Sequence, residues 1–128
     1  MRVLLDTHVF LWWITDDPRL SELARRIIGD GHNEVLFSAG SGWEIAIKAR
    51  LGRIELPGGS LRFIIEQIEQ NAFQVLPIQL VHALQVYHLP PHHRDPFDRI
   101  LIAQSQVEGI PILTADRQIS RYDVQVLW

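Results

Sequence analysis

No cysteine occurs among the 128 residues, and there is a single methionine. Disulfides and thiolate metal sites are therefore excluded, and the composition suits a reducing compartment such as the cytoplasm. Lysine is almost as scarce: of 12 cationic side chains only Lys48 is a lysine, the others being arginine. Net charge is -3 and the isoelectric point lies near 6.0, which argues against a generally basic nucleic-acid binder. No apolar run is long enough to span a bilayer. The first residues, MRVLLDTHVFLWW, are broken by Arg2 and Asp6 and carry no small-residue cleavage site. Neither a membrane span nor a signal peptide is expected. Repeats, low-complexity segments and linkers are absent. With 47% hydrophobic residues there is material for one core, so a single domain over residues 1–128 is expected.

Short apolar runs alternate with helical patterns along the chain. Arg2 to Leu5, Glu34 to Phe37, Phe73 to Leu76 and Ile112 to Thr114 read as strands, with Val124 to Leu127 as an edge strand. Helices are expected through Trp12 to Ile14, from an Asp17-Pro18 start through Ile28, and from Ser38 to Leu51. Others run from a Ser60 cap to Asn71, through Val81 to Val86, and from Pro96 to Val107, with a helical turn over Asp116 to Ser120. Strands alternating with helices imply parallel βαβ units, hence an α/β/α sandwich around a mainly parallel sheet. Ligands in such folds bind beyond the carboxyl ends of the strands.

Four carboxylates fall at or just past those ends: Asp6, Glu44, Asp98 and Asp116. Setting them aside leaves 12 cations against 11 anions, a surface near neutrality. Taken singly, Asp6, Asp98 and Asp116 are each explained by capping or by the helix dipole. Glu44 is not, because it lies inside a helix and is flanked by Trp43, Ile45, Ala46 and Ile47. An enclosed carboxylate needs a cation partner. Together the four would repel one another and raise each other's pKa. Oxygen donors of this kind suit Mg²⁺ or Mn²⁺, as one ion or two. The six histidines have no zinc-like spacing, and His92-His93 read as surface loop residues.

The blocks Leu5-Asp6-Thr7-His8, Ser41 to Lys48 (SGWEIAIK), His93 to Arg99 (HRDPFDR) and Leu113 to Asp116 (LTAD) resemble PIN-domain ribonucleases. The resemblance is nearest to the VapC-type toxins of bacterial toxin–antitoxin pairs, and it extends over almost the whole chain in the family's order and spacing. It implies a catalytic, metal-holding quartet of Asp6, Glu44, Asp98 and Asp116, with Asp98 preferred over Asp95 because the helix that follows it matches. Asp95 is kept as an outer member of the site, and Thr114 is placed to reach it through its hydroxyl. Asp6, Asp98 and Asp116 are the expected direct ligands; Glu44 either completes the shell or orients the attacking water. Lys48 either pairs with Glu44 at the surface, the favoured reading, or meets a phosphate. Arg94, Arg99 and Arg117 flank the acids as candidates for the RNA backbone.

The implied activity is metal-dependent hydrolysis of RNA phosphodiesters, and the implied partners are a cognate antitoxin and a second copy of the chain. Four tryptophans are more than one small core readily encloses; core packing is the favoured reading, and because the adjacent Trp12 and Trp13 point apart on a helix, an exposed one of the two would suit a dimer or antitoxin surface. Two rival readings stand beside this one. A phosphoaspartyl receiver or phosphatase also gathers aspartates at strand ends, but the phosphatase pattern wants an acid two residues after Asp6, where this chain has His8. A non-catalytic interaction domain would use the acids only as caps, which Glu44 opposes.

Overall fold

A computed structural model describes all residues from Met1 to Trp128. Five strands, β1 (Arg2–Leu5), β2 (Glu34–Ser38), β3 (Gln74–Leu76), β4 (Ile112–Leu113) and β5 (Val126–Leu127), form one sheet in the order β3-β2-β1-β4-β5. Every pairing is parallel. Six helices accompany them: α1 (Thr7–Ile14), α2 (Glu22–Gly29), α3 (Ala39–Arg50), α4 (Arg62–Gln70), α5 (Leu80–Gln85) and α6 (Pro96–Glu108).

Strand residues alternate between two cores. Val3, Leu5, Val35, Phe37 and Leu113 pack with Phe10, Ala24, Ile27 and Ile64 from α1, α2 and α4. Leu4, Leu36, Leu76 and Ile112 face the other way, onto Leu101, Ile102 and Ala103 of α6. The period of two turns successive side chains to opposite faces, so each face of the sheet needs its own helical layer. The expected three-layer α/β/α sandwich is the observed one. No helix is long and apolar enough to cross a membrane.

The Asp17-Pro18 start does not hold. Leu20 N–H donates to Asp17 O at 3.1 Å, closing a turn, and the helix begins at Glu22 with Ser21 accepting from Ala24 N–H. Asp followed by Pro suits a β-turn as well as a helix start, and the better cap at Ser21 decides between them. Asp17 turns instead to Arg19, whose hydrogen bonds hold its carboxyl down at about 2. Trp12 and Trp13 are both half-buried, Trp12 against Trp128 and Trp13 donating to Asn71 Oδ1. The most exposed tryptophan is Trp43, at 57%, edge-on to Phe97.

One buried polar chain ties α3 to α6. Ser38 Oγ accepts from Gly40 N–H at 3.0 Å, capping α3, and donates to Gln104 Oε1 at 2.6 Å. Gln104 Nε2 donates onward to Pro77 O at 3.2 Å. Ser38→Ala removes a cap and strands a buried amide oxygen, so a loss of about 1–3 kcal/mol is expected in urea denaturation.

Candidate active site

The strand order reverses at β1 and β4: the chain proceeds outward from β1 through β2 to β3, then returns to place β4 on β1's other side. Such a reversal opens a crevice at the carboxyl ends of the two strands. Asp6 follows β1 directly. Its N–H donates to Leu113 O at 3.1 Å and its carbonyl accepts from Phe10 N–H, so its backbone ends the strand and starts α1. Its side chain makes no capping bond. It instead accepts from the Thr114 hydroxyl at 2.7 Å. Capping therefore does not account for Asp6.

Glu44 is buried in α3, whose enclosed stripe is Gly40, Ser41, Glu44 and Ile45. Thr7 Oγ1 donates to Ser41 Oγ at 2.8 Å, fastening the start of α1 to α3 one turn before Glu44. Lys48 Nζ is paired with Glu44 Oε2. The i,i+4 pair is as expected, but it is not a surface pair: the Glu44 side chain is only 4% exposed. A buried carboxylate with a cation one turn away is a more strongly held group than an exposed pair.

Asp95 caps α6, its Oδ1 accepting from Phe97 N–H at 2.9 Å and Asp98 N–H at 3.1 Å. Asp98, on the first turn of that helix, is free of this duty and accepts from His93 Nε2 at 2.9 Å through Oδ2. Asp116 Oδ1 accepts from Gln118 N–H at 2.8 Å, closing a local turn ahead of the short helical turn Ile119–Arg121, while its own N–H donates to Thr114 Oγ1 at 3.0 Å. Thr114 thus joins two of the acids, as placed from sequence.

The electrostatics link the residues across the fold. Burial pushes the Asp6 carboxyl up, with the charges of Glu44 and Asp116 adding to it, while Thr114 and His8 oppose the shift. Burial likewise pushes Asp98 up to about 7, aided by the charges of Asp95, Asp6 and Asp116 and opposed by the His93 hydrogen bond. Asp6, Asp98, Asp116 and Glu44 therefore share one field, although no three of the acids or histidines close around a single point as a finished metal cage would. The donors are all oxygen, and two of them carry charge that burial and like neighbours disfavour. A hard divalent cation is the partner that would relieve this, so the residues fit one.

Arg99 departs from its expected role. Its guanidinium donates to Pro90 O at 2.9 Å, Tyr122 Oη at 3.0 Å and Leu89 O at 3.3 Å, bracing the loop before α6. Those donors are spent on the fold and are not offered to RNA. Arg94 and Arg117 are exposed. Thr7, Ser41 and Tyr122 were not singled out by the sequence, and His93, expected at the surface, is largely enclosed in its loop. The first two had a signal: Thr7 adjoins Asp6, and Ser41 lies one turn before Glu44 on the same helical face. His93 and Tyr122 are 29 residues apart and had none.

A family model described as PIN domain matches residues 3–125. The chain belongs to the PIN-domain family. It is similar to "Ribonuclease VapC22" of Mycobacterium tuberculosis, 32% identical over 117 residues, which are 91% of this chain and 88% of that protein. Its fold matches VapBC2 from Rickettsia felis, solved bound to a promoter DNA fragment, with a TM-score of 0.75 over 100% of this chain and 99% of that one at 10% identity. DNA-bound VapBC from Salmonella typhimurium gives 0.72, covering 99% and 97% at 15% identity.

A carboxyl raised in the folded state stabilises the fold below its unfolded value and ceases to do so as pH rises through its folded value. For Asp98 that window runs from 3.8 to about 7, and Asp6 acts in the same direction. The melting midpoint of metal-free protein is accordingly expected to fall between about pH 4 and pH 7. Asp98→Asn should flatten that fall, and calorimetry at matched ionic strength reads both slopes.

Proposed function

We propose that this chain is a Mg²⁺- or Mn²⁺-dependent endoribonuclease and the toxin member of a toxin–antitoxin pair, acting in the cytoplasm. The observation that carries the reading is the acidic rim: a buried Asp6 sharing its field with Glu44, Asp98 and Asp116 where the strand order reverses. Similarity to a ribonuclease over 91% of the chain supports RNA as the substrate.

Asp6, Asp98 and Asp116 are the residues that would hold one or two ions, with Glu44 completing the shell directly or through water. When bound, a divalent cation activates water for attack and offsets charge on the scissile phosphate. The chain's own residues do the rest. The Thr114 hydroxyl fixes one oxygen of Asp6 and anchors the backbone of Asp116, so two acids are set by one side chain. Lys48 occupies one oxygen of Glu44 and leaves the other to orient a water or a ligand. Arg94 and Arg117, both exposed, are the remaining candidates for the RNA backbone. With a net charge of -3, binding rests on such local contacts and not on a general positive field.

An antitoxin and a second copy of the chain complete the proposal. The structurally similar VapBC proteins were solved as complexes. Trp43, Leu80, Leu84 and Tyr87 are exposed apolar side chains of the kind that such contacts cover.

Cleavage of RNA by wild type, Asp6→Asn and Asp98→Asn in Mn²⁺ tests the catalytic assignment. Each variant should lose roughly 100-fold or more in rate, about 3 kcal/mol of barrier; undiminished cleavage by both would sink the assignment. Millimolar Mn²⁺ should also raise the wild-type melting midpoint by linkage, and raise that of Asp98→Asn less.

A further inference from the structure

His93 stands where loop, helix and C-terminal segment meet. Its Nε2 lies 2.9 Å from Asp98 Oδ2, and its Nδ1 lies 2.8 Å from the hydroxyl of Tyr122. Tyr122 is itself buried, and its oxygen accepts from His93 N–H at 3.2 Å and from Arg99 Nη1 at 3.0 Å. A phenolic oxygen has one proton to give and room for two donors. Those two N–H groups fill that room, so the hydroxyl proton is directed to Nδ1. The ring then carries its own proton on Nε2, facing Asp98. The opposite tautomer would aim three N–H groups at one oxygen and leave the hydroxyl proton without an acceptor.

We propose that His93 is a positioning residue for Asp98, its Nε2–H holding Oδ2 while Tyr122 and Arg99 lock the imidazole in the tautomer that can do so. The inference rests on the reading of Asp98 as a metal ligand. A neutral N–H orients a carboxylate without cancelling its charge, which a lysine or arginine in the same place would do. Glu44 supplies the contrast within this site, since its partner is the ammonium of Lys48. Asp98 Oδ1 accepts no hydrogen bond from the protein and is left for a cation. Arg99 fits the same scheme: by gripping Leu89 and Pro90 carbonyls it fixes the loop that carries His93. Arg99 is thereby part of the support for Asp98.

The test is the Mn²⁺ dissociation constant of the full chain, measured by titration with detection of free Mn²⁺ by electron paramagnetic resonance. His93→Ala should bind Mn²⁺ about tenfold or more weakly, as loss of a partner that orients a ligand does elsewhere. His93→Gln keeps a neutral N–H donor of similar reach and should restore affinity to within about threefold of wild type. Tyr122→Phe frees the tautomer and should fall between them. In RNA cleavage the same order should appear in kcat, with KM unchanged. In metal-free protein, histidine ring ¹⁵N shifts should report the Nε2-protonated tautomer of His93 in wild type and its loss in Tyr122→Phe. Wild-type affinity in folded His93→Ala overturns the proposal, as does His93→Gln binding as weakly as His93→Ala. If His93→Ala does not fold, Tyr122→Phe with wild-type affinity and an unchanged tautomer overturns it. Asp98→Asn binding Mn²⁺ as well as wild type would instead remove the metal reading itself, and this proposal with it.

Discussion

Asp6 sits at the end of the central strand, almost wholly enclosed, and the charges of Glu44 and Asp116 reach it there. Nothing in its surroundings repays the lost hydration in full: one hydroxyl from Thr114 and the nearby His8 pull against burial and do not win. Apolar packing on both faces of β1 makes that position dry, and the parallel topology sends several strand ends to the same rim. The fold thus concentrates negative charge where solvent can least screen it. A protein meant only to be stable would place apolar or amide groups there. Ionisable groups at such a place are what the proposed divalent cation would relieve.

The four acids are held in four different ways, and the differences carry chemical meaning. Glu44 has a cation, Asp6 a hydroxyl, Asp98 an imidazole, and Asp116 a backbone N–H from its own turn. Hydroxyl, imidazole and amide N–H are neutral donors that set direction and leave charge in place. Only Glu44 is paired with a lysine ammonium, which sets it apart from the three aspartates. The hydrogen bonds also run between elements. Thr114 joins the ends of β4 and β1, and Thr7 joins α1 to α3. Ser38 and Gln104 join α3 to α6. Three helices and two strands bearing the acids are thereby fixed to one another by buried polar pairs, on top of apolar packing.

Much of this was legible in the sequence because it depends on local pattern. Short apolar runs and period-3.6 hydrophobicity located the strands and helices to within a few residues, and the alternation of the two dictated a parallel sheet with helices on both faces. Glu44 stood out for a local reason too, since a carboxylate amid apolar residues inside a helix has no capping role. What failed depends on competition or on distance. Asp17-Pro18 fits both a turn and a helix start, and only the rival cap at Ser21 settles it. Arg99 looked available because its partners, Leu89, Pro90 and Tyr122, are brought to it by the fold. His93 read as a loop residue for the same reason. Trp12 and Trp13 point apart on α1, yet Trp128 and Asn71 arrive from distant parts of the chain to cover both.

The comparison structures sharpen which features belong to fold and which to chemistry. At 10% identity the whole chain still superposes with a TM-score of 0.75, so the architecture tolerates replacement of most side chains. Cores do so when volume and pattern are kept. Fold likeness of that kind therefore carries no information about any one carboxylate. The case for the acidic rim rests on the residues themselves: where the strand order reverses, what encloses each acid, and which neighbours hold it. By that standard Asp98 is better supported than Asp95: Asp95 is oriented by capping α6, while Asp98 is held by His93 and lies within the field of Asp6 and Asp116.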